Sequence, residues 1–142
     1  MRRVVVESLE KFAQQVTVRE HTFVTDEPPD EGGDDRGPTP YDFLLSALGG
    51  CTAITLLMYT KRKGWPVESL RVEVTHERVR CGDLGDCDEE PDRLIDVFTV
   101  DTQVRGDLTE EQRRRMQTIA GMCPVHKALT GKPRINETLR LV

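Results

Sequence analysis

The sequence lacks the short motifs that mark several large enzyme classes. It has no G-x-G-x-x-G or G-x-x-x-x-G-K-S/T segment, no H-E-x-x-H pair and no G-x-S-x-G turn. These motifs bind a dinucleotide or a nucleotide phosphate, hold a catalytic zinc, or present a serine nucleophile. The sequence therefore offers no motif for those four chemistries, and we expect a protein that needs neither a nucleotide cofactor nor a metal.

Basic segments are also scarce. Lysine and arginine number 20 against 25 acidic residues, which gives a net charge of -5, and the only basic cluster is Arg113 to Arg115. Binding to nucleic acid or to an anionic membrane needs clustered positive charge, so neither is expected as the main partner. The start of the chain lacks the apolar core and cleavage site of a secretory signal, which predicts a cytoplasmic protein.

One apolar segment is long enough to raise the question of a membrane span. Residues 43–60 contain no charged residue, and about 18 uncharged residues is the usual minimum for a span. Glycine, serine and threonine dilute its hydrophobicity, however, and strongly polar sequence flanks it. We therefore expect a helix that is apolar on nearly every face and is covered by other protein.

The pattern along the chain predicts an α+β fold in a single domain, residues 1–142. Valine, threonine and phenylalanine alternate with polar residues in segments that predict strands at Arg3–Val6, Phe12–Arg19, His21–Thr25, Val67–Arg80, Arg93–Arg105 and Lys132–Val142. Between the third and fourth strands, residues 26–37 are rich in Pro, Gly and acidic side chains, a composition typical of a mobile loop.

Three helices are predicted from their boundary signals. Thr39 precedes Pro40 and Asp42, an N-terminal signature that predicts a long helix from Pro40 to about Lys63. Thr109 and Gln112 form a capping box for a second helix. Cys123 is the expected N-cap of a short third helix that starts at Pro124.

Two of the four cysteines lie in segments that can support thiol chemistry. A working cysteine needs its pKa lowered by a helix N-terminus or a nearby cation. Cys51 lies several turns into its helix, so a cation from elsewhere, with Arg19 the first candidate and Arg36 the second, would have to activate it. Cys123 has a helix N-terminus of its own and His126 one turn later. Each could equally be structural: Cys51 as a buried apolar side chain, Cys123 as a plain N-cap.

The other two cysteines, Cys81 and Cys87, share an acidic loop. Together with His76 and Asp83 or Asp86 they could bind a metal, although their spacing is wider than that of typical zinc ligands. They could also form a local disulfide upon oxidation.

The segment from Gly37 to Thr52 (GPTPYDFLLSALGGCT), together with Cys123-Pro124-Val125-His126, resembles the OsmC/Ohr family of thiol-dependent peroxidases. The resemblance extends over nearly the whole chain and is greatest to the OsmC-like branch. It implies an intertwined homodimer with the cysteine helices at its centre. It also implies that Cys51 is the peroxidatic cysteine and Cys123 the resolving one, whereas local chemistry alone would favour Cys123 as the nucleophile.

The chain departs from this family at one position of the first motif. In characterised members an arginine and a glutamate assist the reactive thiol, and the glutamate follows the proline of the helix start. Here that position is Tyr41, and Asp42 comes one residue later. A shift by one residue turns a side chain by about 100° around the helix axis, so Asp42 replaces the glutamate only if the local geometry brings it back.

The leading hypothesis from the sequence is a dimeric hydroperoxide reductase. Cys51 would attack a small organic hydroperoxide, Cys123 would resolve the sulfenic acid, and a dithiol would reduce the resulting disulfide. An apolar lining is expected from Leu44, Leu45, Leu48, Ile54 and Met58, although core packing would explain these side chains equally well. The alternatives are a redox-sensing or ligand-binding module without rapid turnover, and metal binding through Cys81 and Cys87.

Overall fold

A computed structural model describes all residues, 1–142, and confirms the α+β class. The chain divides into two compact units, Met1–Ser46 and Ala47–Val142, which we describe separately. The strands are β1 (Val5–Ser8), β2 (Gln14–Val18), β3 (His21–Thr25), β4 (Val67–Arg80) and β5 (Leu94–Gly106), and the helices are α1 (Pro40–Lys63), α2 (Glu110–Ala120) and α3 (Pro124–Thr130). That residues 1–142 form a single domain stays a prediction.

The first unit contains a three-stranded antiparallel meander in the order β1-β2-β3. Val16 in the middle of β2 is buried, and it faces Val6 and Phe23 across the two ladders. The sequence predicts β3 correctly, but β1 starts two residues later than expected and β2 is shorter. Propensity alone locates strands better than it locates their ends, because the ends depend on which residues find a ladder partner.

The loop at residues 26–37 has an internal organisation that its composition does not predict. Asp26 is only 2% exposed, and its carboxylate accepts backbone N–H bonds from Glu27 (2.8 Å), Asp34 (3.2 Å) and Arg36 (3.1 Å). The loop also contains a single 3-10 turn at Pro29–Glu31. Because the buried Asp26 carboxylate accepts all three N–H groups, it connects the start of the loop with its end.

The second unit contains a long antiparallel hairpin, helices α2 and α3, and most of α1. Strands β4 and β5 pair from Val67 opposite Gly106 to Arg80 opposite Leu94. The core is formed by Leu56 of α1 together with Met116 and Ile119 of α2. Gly49 brings α1 close to β4, since a Cβ there would lie 3.1 Å from Val74 Cγ2.

Helix α1 begins and ends where the sequence predicts. The Asp42 carboxylate accepts from the backbone N–H of Thr39 (2.8 Å), and the Thr39 hydroxyl accepts from the N–H of Asp42 (3.2 Å). The other two helices also have the predicted caps, at Thr109 and Cys123. By length and composition alone α1 could cross a membrane, and 33% of its most apolar window is buried. That is weak evidence for a span, because the core helix of a soluble protein meets the same criterion.

The C-terminal segment contradicts the sequence prediction. Residues 132–142 have no secondary structure, and the side chains of Ile135, Leu139 and Leu141 are 81%, 87% and 95% exposed. Their alternation indicates a strand, but a strand needs a hydrogen-bonded neighbour and this segment pairs with no strand of the chain. The predicted strand at Lys132–Val142 is therefore wrong for the isolated chain.

Candidate active site

Cys51 lies at the border between the buried and exposed faces of α1. Leu48, Thr52, Leu56 and Thr60, which follow one another at intervals of four residues, are all at most 3% exposed. Cys51 precedes Thr52 and is partly exposed with a free thiol. Since consecutive helical residues are about 100° apart, its side chain projects beside the buried stripe and not into it. Cys51 is thus packed on one side and accessible on the other.

Cys123 lies in a more enclosed position. It is 0% exposed and has the extended backbone conformation of an N-cap, with Pro124 as the first residue of α3. Its sulfur accepts the backbone N–H of His126 at 3.2 Å. The sulfur therefore occupies the place of a side-chain acceptor at the N-terminus of α3.

A direct contact connects Cys123 to the helix of Cys51. The Thr52 hydroxyl, which donates to the Leu48 carbonyl at 2.9 Å, lies 3.8 Å from Cys123 Sγ. The residue next to Cys51 therefore touches the second thiol. Sequence reasoning missed Thr52, although its place in the four-residue stripe from Leu48 to Thr60 marks the face of α1 that packs inward.

A cavity of about 970 Å³ lies on the same inward side of α1. Its walls include Leu48, Thr52 and Leu56 together with His126 and Leu129 of α3. Of the apolar residues predicted to line a substrate pocket, Leu48 is in this wall, whereas Ile54 and Met58 are 59% and 69% exposed on another face of α1. Ile54 and Met58 were predicted to line the pocket, and for this cavity that prediction is wrong. With 3.6 residues per turn, both side chains lie on a different face of α1 from Leu48.

The carboxylate considered as a substitute for the family glutamate has a structural partner. Asp42 is exposed and its Oδ2 accepts the Thr39 N–H, as described for the start of α1. This is the capping geometry that satisfies a free donor at a helix N-terminus. Tyr41, at the position of the glutamate, is 50% exposed.

The two candidate arginines both belong to the first unit. Arg19 has a left-handed backbone (φ 54°) in the tight turn between β2 and β3, and it is exposed. The backbone N–H of Arg36 is one of the donors to Asp26, and its side chain is exposed as well. Neither guanidinium takes part in an ion pair. The assignment of the activating cation to Arg19 stays a prediction.

The metal-site alternative is not supported by the structure. Cys81 and Cys87 form a disulfide with their Cα atoms 5.4 Å apart, as the sequence analysis allowed. The ring of His76 instead lies 2.8 Å from an Asp96 carboxylate oxygen on the neighbouring strand. Among residues 1–142 no three His, Cys, Asp or Glu side chains lie together as metal ligands would.

The fold is shared with solved structures of low sequence identity. An OsmC-like protein from Mycoplasma pneumoniae superposes with a TM-score of 0.72 at 17% identity, covering 92% of this chain and 88% of the other. An organic hydroperoxide resistance protein from Elizabethkingia anophelis gives 0.66 at 15%, covering 92% and 89%. An organic hydroperoxide resistance protein OsmC from Legionella pneumophila gives 0.65 at 11%, covering 92% and 90%.

Sequence comparison points the same way. No curated protein sequence matches the chain. The family model for OsmC-like proteins, however, matches residues 32–138. This range begins within the loop that precedes α1, and it includes both Cys51 and Cys123. Because the match spans most of the sequence and the fold agrees with it, the chain belongs to the OsmC-like protein family.

Proposed function

We propose that this protein reduces organic hydroperoxides with the thiol pair Cys51 and Cys123. The observation that carries the proposal is the 3.8 Å contact between Thr52 Oγ1 and Cys123 Sγ, which brings the second thiol to the turn of α1 that holds the first. Both thiols are free, and they differ in accessibility as an attacking and a resolving cysteine should. Two of the structures with this fold are named as organic hydroperoxide resistance proteins.

The reaction sequence follows from the chemistry of the two sulfurs. The Cys51 thiolate attacks the outer oxygen of ROOH, the O–O bond breaks, and RO⁻ takes a proton to leave as ROH while Cys51 becomes a sulfenic acid. The Cys123 sulfur then attacks the Cys51 sulfur, a disulfide forms and water leaves. An external dithiol reduces this disulfide by thiol–disulfide exchange and is itself oxidised to a disulfide. The N–H of His126, which the Cys123 sulfur accepts, would hold that sulfur in position for its attack.

The test is turnover of cumene hydroperoxide with dithiothreitol as the reductant. Cys51→Ser should abolish turnover, while Cys123→Ser, oxidised with one equivalent of peroxide in the absence of dithiothreitol, should leave a sulfenic acid on Cys51 that dimedone traps. The double variant Cys81→Ser/Cys87→Ser serves as the control and should keep turnover. If Cys51→Ser retains the wild-type rate, or if oxidised wild-type protein shows no Cys51–Cys123 disulfide by peptide mapping, the proposal is wrong.

One observation favours a redox-sensing module as the second candidate function. The Asp42 carboxylate accepts the Thr39 N–H, and Tyr41 occupies the position of the family glutamate, so no carboxylate is free at that point to assist the thiol. A sensor would show stoichiometric oxidation of Cys51 followed by slow reduction. Measuring the rate of the first oxidation separately from the steady-state rate distinguishes the two candidates.

We also propose that the functional form is a homodimer in the cytoplasm. Ile54 and Leu57 are 59% and 45% exposed on α1, and the apolar side chains of residues 132–142 are nearly fully exposed. Exposed apolar side chains concentrated in two parts of a chain in this way are typical of an interface. Since the exposed C-terminal segment has strand alternation but no partner strand, a second copy of the chain is the occupant that suits both surfaces.

A further inference from the structure

The disulfide between Cys81 and Cys87 takes no part in the thiol chemistry proposed for Cys51 and Cys123. It lies in the loop of residues 81–93, which joins the end of β4 to the start of β5. Cys81 is only 2% exposed, whereas Cys87 is partly exposed. An external thiol can therefore attack the Cys87 sulfur, with Cys81 as the sulfur that is released. The loop contains none of the side chains assigned above to contact with a second copy.

Backbone contacts hold the two ends of this loop together without the sulfurs. The N–H of Cys81 donates to the Arg93 carbonyl at 2.8 Å, and the N–H of Gly82 donates to the Pro91 carbonyl at 2.9 Å. A Cβ at Gly82 would lie 3.2 Å from that Pro91 oxygen, so the two segments also pack closely. The N–H of Arg93 donates to the Glu90 carbonyl at 2.9 Å. Because none of these bonds involves a sulfur atom, they should remain when the disulfide is reduced.

The outer segment of the loop, residues 85–88, depends on the disulfide instead. No backbone–backbone hydrogen bond holds this segment, which contains Cys87. Just before it, the N–H of Leu84 donates to the Cys81 carbonyl at 3.0 Å. Just after it, Glu89 pairs with Arg93, and an exposed ion pair of this kind contributes little stability. Reduction should therefore free residues 85–88 and leave the rest of the hairpin paired.

Like charges favour the open form of this loop. Six exposed acidic residues lie within ten positions: Asp83, Asp86, Asp88, Glu89, Glu90 and Asp92. Of these, only Glu89 and Asp92 pair with a basic side chain. The disulfide keeps the other four carboxylates in a short closed loop, and their repulsion decreases when the chain extends.

The surroundings of Cys81 suit a thiol as well as a disulfide. Its sulfur lies 3.3 Å from the Glu89 carbonyl oxygen. After reduction the Cys81 thiol can donate to this oxygen, because the bond between Glu90 and Arg93 keeps the neighbouring backbone at the base of the loop. A buried donor with an acceptor in place avoids the cost of an unsatisfied polar group. The reduced loop is therefore a stable alternative, as a reversible site requires.

We propose that Cys81 and Cys87 form a second redox site, which exchanges with small thiols and disulfides and releases residues 85–88 when it is reduced. In the cytoplasm, where the protein is proposed to act, disulfides are uncommon and those that form are usually transient or redox-sensing. The exchange uses neither Cys51 nor Cys123, so it does not require peroxidase activity.

The exchange proceeds in two steps with a small thiol such as glutathione. A glutathione thiolate attacks the Cys87 sulfur, the bond to Cys81 breaks, and Cys81 leaves as a thiolate that takes up a proton. A second glutathione thiolate then attacks the sulfur of the bound glutathione. This step frees Cys87, which also takes up a proton, and gives oxidised glutathione. Oxidised glutathione reverses both steps and is reduced to two molecules of the thiol.

A redox titration tests whether the site is reversible. The full-length protein would be equilibrated in mixtures of reduced and oxidised glutathione, and alkylation followed by peptide mapping would report each cysteine separately. We expect Cys81 and Cys87 to convert together and reversibly, with an unchanged circular dichroism spectrum. A pair that stays oxidised in reduced glutathione alone, or that is reduced only as the spectrum is lost, is a structural disulfide and contradicts the proposal.

Charge variants test the cause of the opening. Asp86→Asn/Asp88→Asn removes two carboxylates from the outer segment and should lower the equilibrium constant for reduction by about threefold in low salt, because less repulsion is then relieved. The difference should disappear at about 1 M salt. The control Glu68→Gln/Asp107→Asn removes two exposed carboxylates at the other end of the hairpin, about 40 Å away. It should behave like the wild type.

Proteolysis measures the opening itself. Endoproteinase Asp-N, which cleaves before aspartate, should cut before Asp86 and Asp88 at least about tenfold faster in the reduced protein than in the oxidised protein. Cleavage within residues 26–37 is the internal control and should not change with the redox state. Equal cleavage before Asp86 in both states would overturn the proposal, because the outer segment would then stay in place after reduction. So would a titration of Asp86→Asn/Asp88→Asn that matches its control, because the carboxylates would then not favour the open loop.

Discussion

The loop at residues 26–37 and the C-terminal segment at residues 132–142 contradict their compositions in opposite directions. The loop is rich in Pro, Gly and acidic residues, yet it folds around the buried carboxylate of Asp26. The C-terminal segment has the alternation of a strand, yet its apolar side chains are almost completely exposed. The difference is the location of the hydrogen-bond partners. The loop contains its own, whereas a strand depends on a neighbour that this chain does not provide.

The largest effect is expected from placing a methyl group inside the loop. A Cβ at Gly33 would lie 1.8 Å from the Glu27 carbonyl oxygen and 2.9 Å from Asp26 Oδ1. Gly33→Ala should therefore lower the free energy of unfolding by about 3 kcal/mol, the upper end for an overpacked site. Gly85→Ala is the control, since a methyl group there would meet no atom within 4 Å. Equal urea midpoints for the two variants would show that the loop is less constrained than described.

Removing the charge of Asp26 should have the next largest effect. In Asp26→Asn one side-chain oxygen becomes an N–H₂ donor, which cannot accept from the backbone, so at least one of the three backbone bonds is lost. We expect a lower unfolding midpoint and faster proteolysis between residues 26 and 37. Asp30→Asn, an exposed position in the same loop, should change neither property. Proteolysis that is unchanged in Asp26→Asn would contradict the central role of this carboxylate.

The same carboxylate predicts a pH dependence. Burial alone would raise the pKa of Asp26, but the N–H bonds from Arg36, Glu27 and Asp34 outweigh it and hold the pKa below its ordinary value. The stabilisation is therefore complete above the ordinary pKa of an aspartate and is lost as the pH falls through the lowered value. Wild-type protein should lose stability in acid more steeply than Asp26→Asn, which thermal unfolding at several acidic pH values would measure. If the unfolding temperatures of the wild type and of Asp26→Asn fall in parallel as the pH is lowered, Asp26 is not the cause of the acid sensitivity.

The C-terminal segment tests the other half of the comparison. Here the stabilising contact would come from a second copy of the chain and not from within the same chain. If a second copy covers the alternating apolar side chains, Leu139→Ser should weaken dimerisation by about tenfold, the effect of losing one buried leucine. Arg140→Ser, on the other face of the predicted strand, should leave the dissociation constant unchanged. Sedimentation equilibrium measures both. A similar loss for the two variants, or a monomer at all concentrations, would contradict the proposed occupant.

Features determined by adjacent residues were predictable from the sequence. The start of α1 at Pro40, the capping box at Thr109 and the N-cap at Cys123 all depend on contacts over three or four residues. The hairpin of β4 and β5 followed from alternation because both strands are in the chain and pair with each other. In contrast, the buried state of Asp26 depends on donors up to ten residues away, and composition does not reveal that they converge.

The candidate site was predictable to a similar extent. The motif around Cys51 and the helix start at Cys123 identify the two thiols, but nothing in the sequence places Thr52 against the Cys123 sulfur. That contact depends on the packing of α1 against the turn before α3, which lies 71 residues further along the chain. The cluster of Arg62 and Arg115 around Tyr59 was missed for the same reason, because Arg115 lies 56 residues from Tyr59 along the chain.

The smallest effect is expected at Asp42, which, unlike Asp26, is exposed and accepts a backbone N–H from only three residues away. Because its carboxylate accepts the Thr39 N–H at the start of α1, Asp42→Asn should lower the free energy of unfolding by about 0.3 to 1 kcal/mol. The second-order rate of Cys51 oxidation should stay the same. Thr39→Ala, which removes the reciprocal half of the capping box, should reproduce the loss of stability. Stopped-flow oxidation and urea unfolding would be measured for both variants. Slower oxidation of Cys51 in Asp42→Asn alone would mean that this carboxylate assists the thiol after all. That result would favour the peroxidase over the redox sensor.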